Sequence, residues 1–447
     1  MLYILVAFGG LAALSWELLW QLHITLAVGV SAKGTAITLA ATMGGMSLGA
    51  LVAGRALARR AHANPLRLYG VLEILIGISG LLMPAGFALV RICDSAVSDQ
   101  HPHLGTLLGL IGILLVLGVP TLAMGASIPV LGQVSKNHGV ALSKLYALNT
   151  LGAALGVLLM SFLALPVMGV TVSGRAAALA NLSVGVCALI VARRRQKMGA
   201  KSVAANVVAY PSRVSPRWAF AVVWLSGFVT FVLEVTWFRS MRAAFQSTTD
   251  SFAVMLSSVL LALAVGARLA PWLGRQRVPL AAPLAAGGMA VLLAVPVIER
   301  FDLLTGLGNG YWHTMLMWWL SAFVIMGPAI LLMGTVLPWL LDESEEPRRW
   351  GCLYACNTLG AIMGALLAAW LLLPALGAAR TSWLVGILTI AGACLGLRWR
   401  GRSLAAVLGL AALGVAITNE SGLGRSRIQT DLSRGAYTIL DYRETPD

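Results

Sequence analysis

Three glutamates fall inside long apolar stretches, where a carboxylate needs a reason to be. Glu17 sits in LAALSWELLWQLH, Glu73 in YGVLEILIGISG and Glu234 in FVTFVLEVTWFRS. A charge at mid-bilayer costs about 2.5–3.5 kcal/mol or more on insertion scales. Trp20 and Trp237 each follow a carboxylate by three residues, which puts indole and carboxylate on one helical face. Such a pair can bind a cation, an ammonium group above all, through charge and cation–π attraction, or it can exchange a proton. Each Glu can equally be protonated, or hydrogen-bond a neighbouring helix and lock the packing. His23 lies one to two turns beyond Glu17 and is its candidate proton partner; Ser240 holds the equivalent place in the second stretch.

The spacing of these residues repeats. Glu17 and Glu234 are 217 residues apart, and Trp20 with Trp237 and Gly49 with Gly266 keep that offset. Residues 146–169 (YALNTLGAALGVLLMSFLALPVMG) and 354–377 (YACNTLGAIMGALLAAWLLLPALG) align without gaps and are identical at 14 of 24 positions. Matched Tyr, Asn, Thr, Gly and Pro are not a by-product of apolar composition, so the chain is a duplication with room for a site between its halves. Glu73 has no acidic counterpart near residue 290, which marks it for an asymmetric role.

Proline pairs recur as well. GVPTLAMGASIP (118–129) and MGPAILLMGTVLP (326–338) match Met124, Gly125 and Pro129 to Met333, Gly334 and Pro338. Two prolines in one span interrupt its hydrogen bonding, which either lines a site with a broken helix or fixes a bend. Asn149 and Asn357 open the spans that follow, with Gly152, Gly156, Gly360 and Gly364 one and two turns on. Asn bonding across helices and a small-residue face for close approach give these residues a structural reading.

Composition fixes the solvent. The chain has 447 residues, 59% of them hydrophobic and 11% charged, with a mean hydropathy of +0.85. A soluble surface needs far more charge, so an all-α integral membrane protein of about 12–13 transmembrane helices is expected. The net charge of +15 collects in short gaps, as in Arg55, Arg59, Arg60 and Arg67 or Arg193, Arg194, Arg195, Lys197 and Lys201. That is the positive-inside pattern, not a nucleic-acid patch. It places Met1 on the cytoplasmic side of the cell (inner) membrane, with loop 92–103 outside. MLYILVAFGGLAALSWELLW lacks a basic n-region and reads as a permanent first span.

Six spans per half give parallel repeats: 1–192 and 217–397, joined by a basic cytoplasmic linker at 193–216. An extra hydrophobic helix at 398–419 precedes a polar tail, 420–447, in which GAYTILDYRE alternates like a strand entering a soluble module. The five cysteines read as small buried apolar residues, and DESEE (342–346) as a solvated turn. His101 and His103 make a poor metal pair without further ligands, so no metal or cofactor is expected.

SWELLWQLHITLAVGVSAKGTAITLAATMGGMSLGALVAGR (15–55), TLAMGASIPVL (121–131) and LYALNTLGAALG (145–156) resemble the membrane domain of the fused spermidine synthase-like proteins. The resemblance covers residues 1–418, with RGAYTILDYRE resembling the entry to the synthase portion. It implies a module similar to the major facilitator superfamily, placed before an aminopropyltransferase domain, and a link to polyamines. The glycine-rich nucleotide loop and acidic amine site of that enzyme are not in this sequence, so catalysis is not expected of the chain itself. Three functions fit: binding or transport of a small cationic, polyamine-like molecule between the halves; a non-transporting scaffold for a separate soluble or membrane partner protein; or the membrane part of an aminopropyltransferase whose catalytic domain lies elsewhere. The lipid bilayer is the one partner common to all three.

Overall fold

In lipid every backbone N–H and C=O must be satisfied within its own segment, so apolar stretches rich in Leu, Ala and Gly fold as helices. The computed structural model describes residues 1–28, 32–59, 64–98, 102–197, 215–245, 248–298, 310–397 and 399–420, without the side chains at 21, 23–40 and some other helix-end positions. These residues form α1 (Leu2–Val28), α2 (Ala32–Arg59), α3 (Pro65–Ser98), α4 (Pro102–His138), α5 (Leu142–Leu159), α6 (Leu165–Lys197) and α7 (Pro216–Phe245). There follow α8 (Thr248–Arg275), α9 (Ala281–Ile298), α10 (Tyr311–Met333), α11 (Val336–Asp342), α12 (Pro347–Leu367), α13 (Leu373–Cys394) and α14 (Trp399–Glu420). No strand occurs among the described residues, and the strand-like tail lies outside them.

Among the described residues nine stretches are long and apolar enough to cross a membrane, of which Leu142–Gln196, Tyr311–Asp342 and Pro347–Gly396 each hold two helices. The surface agrees: Leu115 is 70% exposed and Val324 67%, whereas Glu17, Glu73 and Glu234 are buried. In water so many bare aliphatic side chains would drive association; in a bilayer they face acyl chains. The chain is an all-α multi-pass membrane protein.

Helix pairings recur across the chain. α1 packs on α5 and α7 on α12; α2 on α4 and α8 on α10; α3 on α6 and α9 on α13. α5 and α12 each run into a π-helical turn, at Met160–Ala164 and Ala368–Leu372. Each is followed by a glycine in the left-handed region, Gly169 at φ 72° and Gly377 at φ 73°. An L side chain there would be strained, so glycine makes the bend between neighbouring spans. The halves meet where α2 packs on α12 and α5 on α8, and α14 lies against α9 and α13.

Four expectations change. The loop at 92–103 is mostly helix, because no Pro or Gly lies between Gly86 and Pro102 to stop α3. Cys93 is consequently exposed rather than buried, while the other four cysteines are partly buried. The proline spans also differ from each other. α4 stays helical through Pro120 and Pro129, but the second span breaks between α10 and α11, at Gly334 and Thr335. β-branched Thr335 stands at the break where the first span has Ala126, the better helix former. Finally, DESEE is more than a solvated turn. Ala141, the residue before α5, has no polar side chain to cap it, and Asp342 from the other half accepts the Ser143 N–H at 2.8 Å.

Candidate functional site

The position of the first carboxylate follows from how closely α1 and α5 approach. A Cβ on Gly152 or Gly156 would strike the carbonyl oxygens of Ala7 and Leu11 on α1. In the other half Gly360 and Gly364 meet the carbonyl oxygens of Trp224 and Phe228 on α7. Glycine at these points lets backbone rest on backbone, the usual device for tight helix contact in lipid. Asn357 fastens the second pair, its Nδ2 donating to the Val223 carbonyl at 3.0 Å. Asn357 and its counterpart Asn149 both line a cavity.

That cavity has a volume of about 200 Å³ and is walled by helices of both halves. Glu17 from α1 and Glu234 from α7 both line it, within electrostatic reach of each other. Tyr354 from α12 also lines it and feels Glu17. Trp20 is a wall residue whose Nε1 has no hydrogen-bond acceptor among the described residues. Trp237 is buried behind the wall, not on it, and its Nε1 is likewise without an acceptor. Among the described residues no cation and no hydrogen-bond donor pairs with either carboxylate; the ion pair found there, Lys136 with Glu345 at 3.1 Å, is exposed at a helix end. Two unpaired acidic groups beside an indole face and phenols suit a small cation.

Glu73, from α3, reaches the same cavity with different company. Its Oε2 accepts a hydrogen bond from Asn181 Nδ2 on α6 at 2.6 Å, and Asn181 Oδ1 accepts from Trp16 Nε1 on α1 at 3.0 Å. The first-half position of Trp16 corresponds to Leu233 in the second half, and that of Asn181 to Thr389, so this chain of bonds belongs to one half alone. Neither Trp16 nor Asn181 was expected from sequence. Asn181 lies in the apolar run ALANLSVGV, and a lone amide in a span is the signal that points to it.

Met124, Met333, Gly334 and Pro338 line the cavity; Gly125 instead packs on the Met46 carbonyl, and Pro129 is not a wall residue. The break in the second proline span is used: Ser226 of α7 donates to the freed carbonyl of Met333 at 3.3 Å. His23 lies in α1, but its side chain is outside the described residues, as are His101 and the side chain of His103. No group of three or more metal-ligating side chains occurs among the described residues.

No protein-family model matches the chain, and no curated protein sequence matches it. Solved structures do. The proton:xylose symporter XylE of the major facilitator superfamily aligns over 88% of this chain and 94% of its own at 12% identity, with a TM-score of 0.53. The nucleoside transporter NupG aligns over 92% and 97% at 11% identity, with a TM-score of 0.52. A POT family transporter in complex with a thioalcohol-conjugated peptide aligns over 88% and 94% at 12% identity, with a TM-score of 0.53. At such identities the likeness speaks for architecture alone, and what this chain shares with the three is their all-helical membrane fold.

Proposed function

We propose that the chain is a membrane transporter that binds a small organic cation between its halves at Glu17 and Glu234. One observation carries this reading: two carboxylates from equivalent helices line one cavity with no cation or donor among the described residues to meet them. A structural role would need partners for these groups or would keep both protonated, since an unpaired charge in a low-dielectric interior is costly. A ligand ammonium supplies them, and the Trp20 ring adds an aromatic face. The resemblance to the spermidine synthase-like membrane domain supports a polyamine-like substrate.

The same reading takes 1–192 and 217–397 as parallel repeats, supported by the matched pairings, π-turns and left-handed glycines of the two halves. The basic helix ends support an inner-membrane protein with a cytoplasmic N-terminus.

The test is calorimetric titration of spermidine into the purified full chain, wild type against Glu17→Gln/Glu234→Gln. Saturable binding that disappears in a folded double variant is the expected result. A folded wild type that binds no polyamine, and takes none up in liposomes, would move the assignment to a scaffold.

A further inference from the structure

Glu73 shares the cavity but not the chemistry of the other two carboxylates. An indole N–H can only donate, so Trp16 Nε1 fixes Asn181 with Oδ1 toward it and Nδ2 toward Glu73. The Asn181 amide must then donate, which makes Glu73 Oε2 a permanent acceptor. The oxygen that this bond leaves free to take up a proton with the network intact is Oε1. That oxygen points at Gly9, where a Cβ would come within 2.8 Å of it, and Gly9 and Glu73 both line the cavity. Trp16 is itself locked in place, its ring lying over Gly80 of α3 where any Cβ would collide.

We propose that Glu73 is a proton-carrying site, separate from the Glu17–Glu234 pair, that is loaded and unloaded at Oε1. The proton arrives from and returns to water entering the cavity; no bond other than O–H forms or breaks. The surroundings suit this. α6 presents Asn181 and α1 presents Trp16, neither of which titrates. Tyr69, one turn earlier on α3, is the titratable group that reaches Glu73 among the described residues; Glu17 faces the cavity from α1, and α4 brings no charged group to the site. An oriented, donor-only bond to Oε2 stabilises the carboxylate without supplying a cation, so the group can change charge with the structure around it intact. Because the second half lacks the network, loading is asymmetric, and with the Proposed function it makes cation movement proton-coupled.

Infrared difference spectroscopy of the full chain in lipid nanodiscs, titrated with acid and base, tests the site without any substrate. In a Glu17→Gln/Glu234→Gln background Glu73 is the remaining cavity carboxyl. The C=O stretch of a protonated carboxyl should appear on acidification and vanish when Glu73→Gln is added. A band that survives Glu73→Gln, or no pH-dependent band in the parent, would overturn the proposal. Should Glu73→Gln not fold, Asn181→Leu replaces it: loss of the charge-assisted bond should let the proton bind about ten-fold more tightly, and an unmoved titration would overturn the assignment. If spermidine fails to bind while the band behaves as stated, the cation reading falls and this one stands.

Discussion

A buried tryptophan can be worth its ring or its N–H, and α1 offers both cases, Trp20 on the cavity wall and Trp16 off it. Trp16 donates to Asn181, whereas Trp20, equally buried, has no acceptor among the described residues. Trp16→Phe removes a bond and leaves Asn181 Oδ1 unpaired, at about 1–3 kcal/mol on top of the lost ring volume. Trp20→Phe loses ring volume alone. The thermal unfolding midpoint in one detergent should therefore fall further for Trp16→Phe than for Trp20→Phe, while polyamine binding falls further for Trp20→Phe. Equal midpoints would mean that the Asn181 bond contributes nothing. The carboxylates were legible in sequence because charge inside an apolar run is conspicuous, and the 217-residue offset tied two of them together. The partner of Glu73 was not: it lies 108 residues away with nothing in the local pattern to connect them.

At the scale of helices, glycine spacing does the positioning. A side chain on Gly360 has backbone in its way, the Trp224 carbonyl, and backbone cannot step aside as a flexible side chain can. Gly360→Val should thus push α12 off α7 and cost about 1–3 kcal/mol, read as a lower unfolding midpoint. Gly118 of α4 is the control, with nothing within 4 Å of a built Cβ; Gly118→Ala should be neutral or slightly stabilising. A neutral Gly360→Val would show that the contact is loose. Duplication made such elements readable, since YALNTLGAALG and YACNTLGAIMG announce the same close approach twice. It also misled. The paired proline motifs suggested two spans of one kind, both broken or both bent, yet α4 is continuous and only the second span splits, α10 from α11. The end of α3 was misread as well: polarity in DSAVSDQ suggested a loop, but polarity does not stop a helix where no Pro or Gly intervenes.

Across the whole molecule, the proposed transport between two halves requires that the halves part, and the helix ends carry contacts that would then break. Asp342 of one half caps the bare N-terminus of α5 in the other, Lys136 pairs with Glu345, and the ring of Trp350 covers Gly132. These are not of equal weight. Lys136 and Glu345 are both exposed, and such a pair is worth about 0–1 kcal/mol. Asp342 is largely desolvated and meets a helix N-terminus, where a carboxylate cap is worth about 0.5–2 kcal/mol. Ser143, whose N–H it holds, is fully buried, so Ser143→Cys reports separation of the halves through its reaction with a water-soluble maleimide. In that background Asp342→Ala should raise the labelling rate about five-fold, the equivalent of about 1 kcal/mol, and Glu345→Gln should leave it within about two-fold. If both variants label alike, the exposed ion pair and the cap count equally and burial is not what holds this end shut. If Asp342→Ala alone accelerates labelling, one carboxylate crossing from half to half sets how often the cavity between Glu17 and Glu234 opens at this end.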